Sequence, residues 1–222
     1  MSEFRSDILS GFKAVISDLD GTLLDSMGVW NEADEIFLGK RGFKVTPDYT
    51  DYVKSCSMRQ SAEYTISRFG LKESAEEVMA EWESTVAYEY ANTIRLKEGA
   101  ASFLRDVKAR GLKLICATAL TRKNASAALR NNGVLDLFDD LLTLDDIGGE
   151  VNKLEPDIFL LAAERLKEKA SDCIVFEDVE GAIEGAKRGG FTTVLVYDEL
   201  GSRDFSKASA KADYHLVTWS VI

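Results

Sequence analysis

Short apolar runs recur along the chain with helical patterns between them, and this alternation constrains the fold more than any other feature. Lys13-Ala14-Val15-Ile16-Ser17 is the first run, and it ends at Asp18. Leu112-Lys113-Leu114-Ile115-Cys116-Ala117, Cys173-Ile174-Val175-Phe176 and Thr193-Val194-Leu195-Val196-Tyr197 repeat the pattern, and a last strand is expected around Tyr214 to Val217. Continuous apolar runs of this kind read as strands buried on both faces, the habit of parallel sheets. Between them, Ala100, Phe103, Leu104 and Val107 fall on one helical face, as do Ile158, Leu161, Ala162 and Leu166, and Val179, Ala182, Ile183 and Ala186. Gly111 and Gly189-Gly190 stand where such helices stop. The alternation predicts an α/β fold: a Rossmann-like doubly wound parallel sheet with helices on both faces.

One block breaks the rhythm. From about Met27 to Asn92 there is no convincing strand, and helices are expected over Asn31 to Arg41, Met58 to Phe69 and Glu73 to Ala91, with Thr46-Pro47-Asp48 as another helix start. A purely helical block after the first strand predicts an inserted α-helical cap domain over 26–93. The core is then discontinuous, 1–25 and 94–222. Trp82, Tyr88 and Tyr90 are expected in the cap's own core, and Met27, Val29 and Trp30 as packing residues at its hinge.

Charge and cysteine usage narrow the function. Among the 222 residues, 38 acids against 27 bases leave a net charge of −11, which repels phosphate backbones and anionic lipid surfaces. No nucleic-acid or membrane partner is expected, and no apolar run approaches the ~18 residues of a membrane span. The first residues carry no basic stretch followed by an apolar one, so no secretory leader is expected. Cys56, Cys116 and Cys173 are widely spaced and form no CxxC pair, consistent with free thiols in a reducing compartment and a cytoplasmic chain. The single histidine, His215, has no ligand-like neighbours and reads as structural, so a zinc site is not expected. A monomer is the default expectation.

Chemistry concentrates at the strand ends, where open α/β sheets bind their ligands. The first strand runs into Asp18-Leu19-Asp20-Gly21-Thr22-Leu23-Leu24-Asp25. Two acids this close repel each other, and a bound cation, a shared proton or simple exposure relieves the repulsion. Thr118 ends the second long run. Lys153 precedes Pro156-Asp157-Ile158-Phe159, with Leu154 directly after it. Glu177-Asp178 ends the run at Phe176.

These four motifs, in this order and over essentially the whole chain, resemble the haloacid dehalogenase-like superfamily, in the subgroup with a helical cap that includes β-phosphoglucomutase and small-metabolite phosphatases. The resemblance implies that Asp18 is a nucleophile forming an aspartyl-phosphate, and that Asp20 is general acid and then general base. It implies that Thr118 and the backbone N–H of Ala119 bind phosphoryl oxygens, and that Lys153 neutralises Asp18 and the transferring group. It implies a Mg²⁺ cofactor held by Asp18, Asp178, the Asp20 carbonyl and Glu177. In the cap segment Ser55-Cys56-Ser57-Met58-Arg59, Arg59 resembles a substrate-contacting residue. The expected activity is Mg²⁺-dependent hydrolysis of a small phosphorylated metabolite, with a phosphomutase using the same intermediate as the alternative. A dehalogenase lacks the second acid, Arg59 cannot form the Schiff base of a phosphonate hydrolase, and a degenerate binding module predicts losses among acids that are all present.

Overall fold

Parallel pairing organises the chain. The computed structural model describes residues 2–53, 56, 58–148, 153, 155–199 and 205–221. The strands are β1 (Ser2–Glu3), β2 (Ala14–Ser17), β3 (Lys113–Thr118), β4 (Asp140–Thr143), β5 (Cys173–Glu177), β6 (Thr192–Val196) and β7 (Tyr214–Leu216). Among the described residues they form one sheet in the order β1-β7-β6-β5-β2-β3-β4, with every pair parallel. The helices are α1 (Val29–Lys40), α2 (Pro47–Val53), α3 (Met58–Phe69), α4 (Ala75–Asn92), α5 (Ala100–Ala109), α6 (Arg122–Asn131), α7 (Asp157–Leu166), α8 (Glu180–Arg188) and α9 (Phe205–Ser209). The fold is the expected α/β doubly wound architecture. No helix among the described residues is long and apolar enough to cross a membrane.

The alternation of side chains along each strand builds two cores. Ala14, Ile16, Ile115, Ala117 and Val175 face one side, where they pack with Ile158, Phe159 and Ala162 of α7 and Ala182 and Ala186 of α8. Phe176 meets Phe4 edge-on at 5.0 Å and Phe103 of α5 at 5.1 Å, and Trp219 joins Phe103 at 4.6 Å. Burying each of these aromatic side chains contributes on the order of 2–3 kcal/mol before entropy is counted.

The chain divides into two compact units, Met1–Met27 with Ile94–Ile222, and Gly28–Thr93. Within the helical unit, Ser74 caps α4 in a reciprocal box: its hydroxyl accepts from the Glu77 N–H, and the Glu77 carboxylate accepts from the Ser74 N–H at 2.8 Å. Trp82 packs on Phe37 at 5.6 Å. The Arg41 guanidinium lies 3.6 Å from the Phe37 ring centroid and reaches Glu73 and Glu81. The Tyr49 hydroxyl is buried between Asp34 and Thr65, 2.9 Å from each.

Several expectations need correction. β1 and β4 carry no long apolar run: β1 has two exposed residues, and β4 is an edge strand with only Leu141 and Leu142 apolar. Tyr88 is 61% exposed, because its position on α4 turns away from Trp82 and Tyr90, which are buried. Trp30 is 45% exposed within the first turn of α1, while Val29 beside it is buried. Val179 is the exposed N-cap residue of α8, not part of its buried face. Of the glycine pair after α8, only Gly190 takes the left-handed conformation.

Candidate active site

Strand order decides what can meet. β2 lies between β5 and β3, and the chain fills the β3–β4 side before crossing to β5, so the reversal of order falls at β2. Ligands of open α/β sheets bind at such a point, beyond the carboxyl ends of the strands. Ser17 is in register with Cys116 on β3 and Phe176 on β5, so Asp18 emerges beside Thr118, Glu177 and Asp178. The Asp18 N–H donates to the Phe176 carbonyl at 3.0 Å and extends the pairing to that point.

The segment after Asp18 is a tight knot. The N–H groups of Thr22, Leu23 and Leu24 all donate to the Leu19 carbonyl. Gly21 has φ +72°, and a Cβ there would collide with the Asp178 carboxylate, so only glycine fits. The Thr22 hydroxyl donates to Asp178 Oδ1 at 3.2 Å, and the Trp219 indole N–H donates to the Thr22 carbonyl at 3.1 Å. The knot thereby fixes Asp178 from β5 against the loop leaving β2.

Asp18, Glu177 and Asp178 are all buried, and they offer carboxylate oxygens within 4.8 Å of one another. Lys153 Nζ bonds Asp18 Oδ1 and also donates to Glu177 Oε1 at 2.8 Å. The other Glu177 oxygen accepts from the Val179 N–H at 2.8 Å. Burial pushes the Asp18 carboxyl up to about 7; Lys153 opposes this, and Glu177 and Asp20 add to it. Burial and the charges of Glu177 and Asp18 push Asp178 up to about 9. Despite the burial of Lys153, its two carboxylate partners hold its pKa above the usual lysine range. One ammonium therefore sits among three crowded acids, and the site is short of positive charge. A hard divalent cation with oxygen ligands matches this donor set, so the residues fit Mg²⁺.

Asp20, Thr118 and Ala119 stand at the same strand ends. Asp20 is half-buried, and the Ser26 hydroxyl donates to its Oδ1 at 2.6 Å. The Thr118 hydroxyl oxygen accepts from the Leu120 N–H at 3.1 Å, which leaves its O–H to donate elsewhere, and Ala119 is exposed beside it. Burial raises the Cys116 thiol well above its ordinary range, so it stays protonated. Arg59 belongs to the helical unit, in the first turn of α3, where its guanidinium pairs with Glu76 at 2.8 Å. Ser55, Ser57 and Leu154 lie outside the described residues. Sequence reasoning missed Thr22, Ser26, Lys97 and Trp219. Thr22 and Ser26 stand within or next to the first motif, whereas Lys97 and Trp219 meet it only through the fold and carry no local signal.

The profile of the haloacid dehalogenase-like hydrolases matches residues 12–190, a span holding every core residue of this site. The chain belongs to that family. It is therefore an enzyme of the hydrolase type. It is 26% identical over 200 residues to the phosphorylated carbohydrates phosphatase of Thermotoga maritima, covering 90% of this chain and 91% of the relative. It is 29% identical over 192 residues to (DL)-glycerol-3-phosphatase 2 of Arabidopsis thaliana, covering 83% and 79%. Among solved structures, a candidate beta-phosphoglucomutase from Thermotoga maritima superposes with a TM-score of 0.82 at 25% identity, covering 93% of this chain and 94% of that one.

Proposed function

We propose that the enzyme is a phosphatase, hydrolysing the phosphate monoester of a small metabolite through an aspartyl-phosphate on Asp18. The observation that carries this reading is the buried trio of Asp18, Glu177 and Asp178, with Lys153 bonded to the first two. The family assignment and the phosphatase names of the relatives support it.

In this reading an Asp18 oxygen attacks phosphorus, and the bond from phosphorus to the ester oxygen breaks. Asp20 gives its proton to that oxygen. Ser26 holds one Asp20 oxygen and so fixes the orientation of this carboxyl group. The Thr118 hydroxyl and the Ala119 N–H hold phosphoryl oxygens. Lys153 balances the negative charge that gathers on them and opposes protonation of Asp18, because a cation beside a carboxylate favours its charged form. Asp20 then takes a proton from water, water attacks phosphorus, and Asp18 is released with inorganic phosphate. Asp18, Asp178, the Asp20 carbonyl and Glu177 would hold Mg²⁺, which when bound supplies positive charge to the phosphoryl oxygens. The helical unit is the cap, 28–93, and Arg59 is its candidate for selecting substrate. The enzyme works as a monomer in the cytoplasm, and its acidic surface keeps it from nucleic acid and membranes.

A mutase reading rests on the same residues and is favoured by the likeness to the candidate beta-phosphoglucomutase. It differs in the acceptor, a second sugar hydroxyl in place of water. The test is phosphate release from sugar, polyol and nucleotide phosphates, with Mg²⁺ and with chelator. Mg²⁺-dependent release that vanishes in a folded Asp18→Asn variant is expected. Isomerised sugar phosphate without free phosphate would favour the mutase, and an active Asp18→Asn variant would remove Asp18 as nucleophile.

A further inference from the structure

Behind the first-motif knot lies a lysine that no motif contains. Lys97 is in the segment leading to α5. Its backbone N–H donates to the Leu23 carbonyl at 2.8 Å. Its side chain turns to the same knot: Nζ bonds the Gly21 carbonyl, donates to the Tyr197 carbonyl at 2.8 Å, and pairs with Asp198 at 2.9 Å. The three ammonium protons thus have three acceptors, from the loop after β2 and the end of β6. The Lys97 side chain is 17% exposed and that of Asp198 7%.

We propose that Lys97 is a positioning residue for the phosphoryl-transfer site, holding the Gly21 peptide so that the first-motif knot stays pressed against Asp178. This rests on the proposed phosphatase function. Gly21 follows Asp20 directly, and its backbone passes so close to Asp178 that a methyl group does not fit. Thr22, the next residue, donates to Asp178 Oδ1. A shift of the Gly21 carbonyl therefore moves Asp20 on one side and Thr22, with Asp178, on the other. Asp198 pairs with the lysine, whose bonds reach the knot's backbone, so the brace acts through geometry. The same residue holds the knot at the Gly21 and Leu23 carbonyls, while Trp219 holds the Thr22 carbonyl between them. Removing groups that orient a metal's ligands commonly costs 10–100-fold in affinity or activity.

A built-in control stands at the other end of the sheet. Lys113 Nζ also joins a carbonyl, that of Leu166 at 2.5 Å, to a carboxylate, that of Glu168 at 2.7 Å, but at the amino end of β3. The experiment compares Lys97→Met and Lys113→Met in the full chain. The readouts are kcat and KM on the best substrate, Mg²⁺ affinity by calorimetry without substrate, and the urea midpoint. Lys97→Met is expected to lose roughly 10–100-fold in kcat with KM within about threefold, and to bind Mg²⁺ at least about tenfold more weakly. Lys113→Met is expected to lower the urea midpoint while kcat and Mg²⁺ affinity stay within about twofold of the wild type. Wild-type kcat and Mg²⁺ affinity in Lys97→Met would overturn the proposal, as would equal losses of kcat in both variants. Should Lys97→Met fail to fold, Lys97→Arg carries the same test, since a planar fork cannot meet acceptors gathered around one nitrogen. A wild-type enzyme with no phosphoryl transfer at all would instead refute the phosphatase reading, while calorimetry would still report on Lys97.

Discussion

Among the described residues, Lys153 is the one ammonium bonded into a cluster of three buried carboxylates, and pH exposes the imbalance. The ordinary carboxyl value of 3.8 is raised to about 7 at Asp18 and about 9 at Asp178, with burial the largest cause in each. The folded chain therefore binds these protons more tightly than the unfolded one. Their contribution to stability is complete below about pH 4 and is lost as pH rises through about 7 and then about 9. Interacting acids titrate as a group, so the loss spreads over this window. A divalent cation displaces the protons and opposes the loss. Without Mg²⁺ the urea midpoint is expected to fall between about pH 6 and pH 9, and the gain on adding Mg²⁺ is expected to be larger at about pH 9. A larger gain at about pH 6, or none at either pH, would contradict this. At this scale the sequence carried the acids well: Asp18, Asp20, Glu177 and Asp178 stand in two short motifs at the ends of apolar runs. Ser26 and Trp219 escaped notice because a hydroxyl or an indole acquires its meaning only from the partner that folding brings to it.

Among the elements, the helical unit holds a half-buried acid whose charged form is also disfavoured. Burial raises Asp34 on α1 to about 6, partly offset by the Tyr49 hydroxyl of α2. Tyr49 in turn lies 2.9 Å from Thr65 on α3, whose hydroxyl donates to the Ser61 carbonyl at 2.7 Å. With the Thr65 proton on Ser61 and the Tyr49 proton on Asp34, no proton is left for the contact between the two hydroxyls. A proton on Asp34 completes the chain from α1 through α2 to α3. Its folded value is raised, so this stabilisation is complete below about pH 4 and is lost as pH rises through about 6. Asp34→Asn, which keeps a donor at every pH, is expected to slow amide exchange in α2 and α3 at about pH 7 relative to wild type, with little difference at about pH 4.5. Faster exchange in the variant at both values would contradict the proton chain. The helices of this unit were legible from period and punctuation, and the Ser74 box explains why α4 begins at Ala75. β4 was not legible, because an edge strand with two apolar residues resembles a loop. Tyr88 and Trp30 were misplaced because an aromatic residue signals burial only when its helical position agrees.

For the whole molecule, the alternation of strand and helix made the α/β architecture legible, since buried parallel strands must be apolar throughout. Strand order was not legible, because nothing local says that β2 lies between β5 and β3. That order brings Asp18, Lys153, Glu177 and Asp178 together from distant parts of the chain, and the proposed chemistry follows from it. The central claim is that Asp18 becomes covalently phosphorylated. Its most direct test is a single turnover of the best substrate with Mg²⁺, quenched in acid within milliseconds, with mass spectrometry of the peptide spanning β2 and the first motif. The account expects that peptide to carry one phosphoryl group on Asp18, formed and lost at rates that match phosphate release. Phosphate release with Asp18 unmodified throughout, or a phosphoryl group on another residue, would contradict it.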